Sequence, residues 1–198
     1  MLSKNLLPGW AASRAPFSLS LILLLFYALL PAETFEYNRL AVSNGELWRL
    51  LTAHLVHTEG SHFLLNLAGL VLVWVFFANL ASARDWLACL LAVSLFTSVM
   101  VYLWLPDLML FVGLSGVLHG LFTYGLWRDW SLRRAEAVML LLIVSAKLGW
   151  EQLMGPLPGS EQAAGGPVLV EAHLYGALGG ILYGGLRQAW RTTRHRRE

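Results

Sequence analysis

Three stretches of this chain carry residues that could do chemistry. Gly113-Leu114-Ser115-Gly116 opens an apolar segment. A serine flanked by glycines at a helix start exposes its hydroxyl, and the backbone there can approach a substrate closely. The same residues also read as a helix cap with glycines for packing. His173 lies in Glu171-Ala172-His173-Leu174-Tyr175-Gly176-Ala177-Leu178-Gly179-Gly180. The glycines leave one helix face nearly bare, so a neighbouring helix can come close. His62-Phe63-Leu64-Leu65-Asn66 sets two polar side chains at i and i+4, on one face. A serine and a histidine at one depth make a possible nucleophile and general base. Asn and His are suitable donors to a developing oxyanion. Each group also has a packing alternative: a histidine bonded to a carbonyl, or a polar pair that seals a helix start or links two helices.

The elements that must position these residues follow from composition. Of 198 residues, 57% are apolar and 13% are charged. A soluble domain carries roughly 45–50% apolar and about 25% charged residues. Disorder is excluded, and a soluble globule would lack the charge to cover itself. Long apolar runs between short charged stretches leave a polytopic membrane protein, with no room for a large soluble domain. Six spans are expected: Pro16–Ala32, Ser61–Leu80, Trp86–Leu105, Leu114–Trp127, Ala135–Leu153 and Val168–Arg187. Arg14 and Ala32 lend the first a signal-peptide look, but Leu30 spoils the small-x-small cleavage pattern. The single cysteine, Cys89, excludes an intrachain disulfide and a cysteine metal site. His54, His57 and His62 could suggest a metal, but no acidic or Cys ligand sits in register, and no metal or other cofactor is expected.

Charge sets the orientation. With both termini in the cytoplasm, the inner side holds eleven of the fourteen basic residues and four acids. The outer side holds Arg39, Arg49, Lys147 and eight acids, among them Glu151 and Glu171. The balance is +7 inside against −5 outside. The Arg-rich end, Arg187 to Arg197, reads as an anchor near anionic lipid rather than a nucleic-acid site. The chain is read as one domain, 1–198, with 188–198 as its basic cytoplasmic tail.

The fourth span is short. Its length reaches only ~21 Å at 1.5 Å per residue, ~9 Å less than the hydrocarbon core. Residues Pro106 to Gly113 lead into it and are apolar, but Pro and Gly break them. Non-helical backbone at membrane depth is tolerated only against protein or a water-filled cavity. A helix that starts inside the membrane implies a cavity open to the outside, with the positive end of its dipole facing in. Ser115 then lies ~9 Å deep, and His173, counted from Val168, lies ~7.5 Å deep. An ionisable side chain at such depth is a functional hypothesis by default.

Three motifs recur in order. One is Glu46-Leu47-Trp48-Arg49-Leu50-Leu51-Thr52 followed by His57-x4-His62-x3-Asn66. The second is Gly113-x-Ser115-Gly116-x3-Gly120, and the third is Ala172-His173-x2-Gly176-x3-Gly180. Together they resemble the rhomboid intramembrane serine proteases, over about residues 40–187. The small size and the variant Ser115-Gly116-Val117-Leu118-His119-Gly120 look most like the rhombosortase branch. His119 departs from the usual rhomboid pattern, where an apolar residue is common. It lies one turn past Ser115, and packing or bonding within the bundle is expected of it.

The resemblance implies an all-α membrane protein, a six-transmembrane-helix rhomboid-like bundle with a short central fourth helix. It implies Ser115 as nucleophile and His173 as general base, with His62, Asn66 and the Ser115 amide as the oxyanion hole. No matching Asp is present, so a dyad is expected, its imidazole held by burial and the neighbouring helix. Trp48 and Arg49 match a scaffold element of the first external loop. Tyr175 is given no catalytic role. The Gly- and Pro-rich stretch Leu153 to Pro167 reads as a lid over the cavity. The partners implied are the lipid bilayer and membrane-anchored exported proteins, with tails made of a Gly-Gly-type motif, one transmembrane helix and a basic end. A bacterial inner membrane, with the site opening to the periplasm, is implied as its place. The alternatives are a general rhomboid protease and a non-catalytic rhomboid-like binding or quality-control protein. A small transporter would need a polar path through both leaflets, and the polar residues cluster in the outer half.

Overall fold

The computed structural model describes residues 18, 20–27, 29–130 and 134–195. A first helix, α1, covers residues 20–27. Four short elements follow: α2 (Ala32–Phe35), β1 (Tyr37–Asn38), α3 (Arg39–Ser43) and α4 (Arg49–Thr52). Then come α5 (Gly60–Phe77), α6 (Ala83–Trp104), β2 (Leu110–Phe111), α7 (Ser115–Asp129) and α8 (Arg134–Met154). The short α9 (Ser160–Ala164) and the long α10 (Val170–His195) complete the order.

Among the described residues, three helices are long and apolar enough to cross a bilayer: α5 with its extension to Leu80, α6 and α8. They correspond to the second, third and fifth expected spans. Their outer faces carry exposed apolar side chains such as Leu64, Val75, Leu87, Leu103, Leu142 and Ile143. Such faces belong against lipid rather than water. The chain is an integral membrane protein. α7 has 15 residues and is the short helix expected there. α10 has 26 residues, so residues 188–195 of the expected tail continue it as helix. Residues 16, 17, 19 and 28 of the first expected span lie outside the described residues, as do 196–198 of the tail.

Local chemistry sets the helix ends. Ser82 caps α6 by accepting from the Asp85 amide at 3.2 Å. Asp85 in turn accepts from Arg187 at 2.8 Å and Arg191 at 3.0 Å, which ties the start of α6 to the far end of α10. At its other end, Arg39 donates to the carbonyls of Tyr102 (2.8 Å) and Leu105 (3.3 Å). The Tyr102 carbonyl cannot be met by the residue four further on, Pro106, which has no N–H, so a side-chain donor there satisfies a standing need.

The non-helical run into α7 is covered by protein. β2 pairs antiparallel with β1, with Tyr37 opposite Phe111 and Asn38 opposite Leu110. The Gly113 amide donates to the Ala53 carbonyl at 2.9 Å. Tyr37, fully buried, stacks on Phe111 at 4.7 Å. The segment between α1 and α5 therefore acts as a wedge that holds the start of α7 in place.

α7 is the axis of the bundle. It packs against α5, α6, α8 and α10, and ten of its fifteen residues are buried. Its closest neighbour is α10, and glycine is the reason. A Cβ at Gly116 would stand 2.7 Å from the Ala172 carbonyl oxygen. One at Gly120 would stand 2.6 Å from the Gly176 carbonyl. One at Gly176 would overlap the Gly116 carbonyl, and one at Gly180 the Gly120 carbonyl. Small residues at such a seam let two backbones touch. Thr123 adds a cross-link, donating to the Ala177 carbonyl at 2.8 Å.

Gly176→Leu should therefore cost about 3 kcal/mol or more, since the clash is with backbone that cannot rotate away. Thermal unfolding in detergent micelles measures it. Gly149→Ala, on an open part of α8 where a Cβ meets nothing within 4 Å, should hold or raise the melting temperature.

Candidate active site

The glycine seam brings two polar residues together. Ser115 is the first residue of α7, and its amide is among those a helix start leaves without an intrahelical partner. His173 sits one turn into α10 and is 5% exposed. Its Nε2 lies 3.0 Å from Ser115 Oγ. The other ring nitrogen, Nδ1, lies 3.0 Å from Glu151 Oε2 on α8. Lys147 Nζ is farther from Nδ1, at 3.4 Å, and donates to Glu151 Oε1 at 2.6 Å. A carboxylate can only accept, so Nδ1 carries the proton and donates to it. In the neutral ring Nε2 is then an acceptor, and the Ser115 hydroxyl donates to it.

His119 does two things at once. Its Nδ1 donates to the Ser115 carbonyl at 2.7 Å. Its ring lies flat on the His173 ring, with centroids 4.4 Å apart and an interplanar angle of 20°. It thus bonds within its own helix, as expected, and also covers one face of the His173 imidazole.

His62 and Asn66 stand on the opposite wall, on α5. Gly113 has φ of +109°, and a Cβ there would overlap the His62 ring and come 3.4 Å from Asn66 Nδ2. Only glycine fits that turn beside those two side chains. Asn66 is 3% exposed, and its Nδ2 bonds His57 Nε2 at 2.9 Å. An amide nitrogen has two hydrogens, so this bond leaves one for another acceptor. Ser115, His173, His62, Asn66 and His119 all line one cavity of about 850 Å³. The cavity continues along an apolar stretch between α5 and α8, past Leu65, Leu72, Phe76, Ile143 and Val144.

The expected lid is more ordered than its composition suggested. α9 interrupts it, bounded by Gly159 and Gly165, both left-handed at φ +82° and +76°. A Cβ at Gly165 would stand 2.8 Å from Ser61 Oγ, so the loop is seated on the start of α5. Leu157, Gly165 and Pro167 from it line the cavity.

Two features stand apart from the chemistry. Arg49 is buried in the segment before α5 and donates to Glu46 (2.7 Å) and to the carbonyls of Glu33 (3.0 Å) and Glu36 (2.9 Å). Trp48 beside it is 51% exposed. Tyr175 packs in the small cluster around Tyr37, away from the His173 ring.

The histidines considered for a metal do not form one set. His54 Nε2 bonds Ser98 Oγ at 2.9 Å and the Ser94 carbonyl at 3.1 Å, whereas the rings of His57 and His62 meet each other at 5.0 Å. A different trio, His119, Glu151 and His173, brings its ligand atoms within 4.8 Å of one another. Glu151 and His173 already bond each other, and the Lys147 ammonium stands beside Glu151 where a cation would have to compete with it.

Glu151 adds a partner for His173 that the sequence reading, with the imidazole held by burial and the neighbouring helix, does not name. Its side chain is 2% exposed and points at His173. The signal was Lys147-x3-Glu151, an i, i+4 pair in an apolar helix, where a stripped carboxylate would be costly without its lysine.

A serine hydroxyl on a histidine nitrogen, enclosed by apolar helices, defines a hydrolase-like site built inside a membrane bundle. The Rhomboid domain matches residues 44–189, most of the chain. The protein belongs to the rhomboid family, whose members are intramembrane serine proteases acting on membrane proteins within the bilayer. No curated protein matches it.

Removing the Arg49 anchor should loosen the wedge that holds α7. Arg49→Met leaves the Glu33 and Glu36 carbonyls without the Arg49 donor. Bonds from charged groups are worth about 1.5–3 kcal/mol each. A melting point lowered by several degrees, with lower activity at the original assay temperature, is the expected result.

Proposed function

We propose that this chain is an active intramembrane serine endopeptidase in which Ser115 attacks and His173 moves the proton. The observation that carries it is the 3.0 Å contact of Ser115 Oγ with His173 Nε2 in the cavity of a rhomboid domain. Nε2 takes the hydroxyl proton as Oγ bonds to the scissile carbonyl carbon. The oxyanion that forms accepts from the Ser115 amide and from His62 and Asn66 on the facing wall. His173 then gives its proton to the leaving amine, and the peptide bond breaks. Water enters from the outer side, gives a proton to Nε2 and hydrolyses the acyl-serine, which returns the hydroxyl. No cofactor takes part.

Six spans, with both termini in the cytoplasm and the site opening to the periplasm of a bacterial inner membrane, fit the +7 and −5 charge fields. The substrates are membrane-anchored exported proteins. The apolar stretch of the cavity between α5 and α8 suits a partly unwound transmembrane segment. Within the family we favour the rhombosortase branch, on the strength of Ser115-Gly116-Val117-Leu118-His119-Gly120. Its substrates carry C-terminal tails with a Gly-Gly-type motif, one membrane helix and a basic end. A general rhomboid protease shares all of this chemistry and differs only in substrate. A non-catalytic rhomboid-like protein would have no need of the Ser115–His173 pair.

Ser115→Ala should abolish cleavage of a tailed reporter while the protein expresses and folds normally, and His173→Ala should do the same. A fluorophosphonate should label the wild type and not the Ser115→Ala protein. Full cleavage by well-folded Ser115→Ala would sink the protease reading. Asn66→Ala should cost about 10²–10³ in kcat, the usual loss of one oxyanion donor. Proteomics of tailed proteins with and without this protein separates the sorting protease from the general one.

A further inference from the structure

We propose that Glu151 is a positioning residue that turns the Ser115–His173 dyad into a Ser–His–Glu triad, with Lys147 holding its carboxylate. This rests on the serine-protease reading above. α8 presents few buried residues: Ala137, Val144, Leu148 and Glu151. Three are small or aliphatic, as a helix facing a membrane protein's core requires. The fourth is a carboxylate, which is expensive in such a place unless both oxygens are bonded.

Both are. Oε1 accepts from Lys147 Nζ at 2.6 Å, and Oε2 accepts from His173 Nδ1 at 3.0 Å. A purely structural ion pair would need only the first contact. The second ends on the ring nitrogen opposite the one that faces Ser115. Three consequences follow from that placement. The neutral imidazole is held as its Nδ1–H tautomer, with Nε2 free to accept from Ser115 Oγ. The ring is kept from rotating, since its edges are tied at both nitrogens and its face is covered by His119. When Nε2 takes the Ser115 proton, the imidazolium forms against an anion already in place. No proton moves to Glu151, which stays ionised throughout. Lys147, with its side chain 31% exposed, reaches in from the cavity side and balances the carboxylate between turnovers.

The experiment uses the full-length purified protein, a tailed reporter and a fluorophosphonate. Glu151→Gln keeps the shape and removes the charge. It should lower kcat by about 10²–10⁴-fold, the range seen when the acid of such a triad is neutralised. KM should stay within a few-fold of the wild type, and fluorophosphonate labelling should slow in parallel with kcat. Glu151→Asp restores the charge with a shorter reach, and should recover about tenfold or more over Gln. If Glu151→Gln does not fold, Glu151→Asp decides: it should show lower kcat at unchanged KM. Wild-type kcat in Glu151→Gln overturns the proposal, and where only Glu151→Asp folds, wild-type kcat there does. So does a variant that raises KM alone, because that assigns Glu151 to the shape of the cavity. Ser115→Ala runs alongside. Activity there defeats the parent reading, whereas an inactive Ser115→Ala beside a fully active Glu151→Gln defeats only the triad.

Discussion

The contact between the backbones of α7 and α10 is the constraint on which the rest depends. Ser115 and His173 come from different helices, 58 residues apart in sequence, and must meet at hydrogen-bond distance. A serine has almost no reach. Its helix must therefore come nearly into van der Waals contact with its neighbour, and Gly116, Gly120, Gly176 and Gly180 remove the atoms that would stand between them. Inside a bilayer there is little hydrophobic gain from bringing two helices together, so close packing and bonds such as Thr123 to Ala177 have to supply the cohesion. The same glycines that place the site also hold the bundle.

A second constraint acts at right angles to the first. The chain reaches α7 through non-helical backbone, residues 105–114, with the short β2 in it. That backbone needs partners, and residues 32–53 supply them: β1 pairs with β2, and Ala53 accepts from Gly113. Arg49 and Arg39 tie this segment to itself and to the end of α6. What looks from outside like a loop is thus the support for the helix start that carries Ser115. The polar residues of the site are affordable in an apolar bundle because nearly every one is bonded to another.

Much of this was legible in the sequence. The long apolar helices α5, α6 and α8 fall within a few residues of their expected spans, because uninterrupted apolar runs admit little else. The short α7 was readable from Gly113 and Arg128 as its bounds. Depth counting put Ser115 and His173 near one level, and they face each other. Three things were not legible. The helical form of residues 188–195, within the basic tail, is one; Asp85 on α6 binds Arg187 and Arg191 along it. The short α9 within Leu153 to Pro167 is another, with Gly159 and Gly165 as its left-handed ends. The contact of Glu151 with His173 is the third, because the sequence does not say which helix faces α8.

The sequence by itself determined that this chain lives in a bilayer, which residue types could react, and which helices carry them. Those facts are written in local order: apolar runs, glycine spacing, and a serine beside a helix start. Only the tertiary structure decided what holds the His173 ring. Glu151 on α8, Ser115 on α7 and His173 on α10 meet because three helices cross at one place, and His119 stacks there as well. Helix periodicity says which side of a helix a residue occupies. It does not say which other helix stands opposite, and that choice belongs to the packing of the whole bundle around α7.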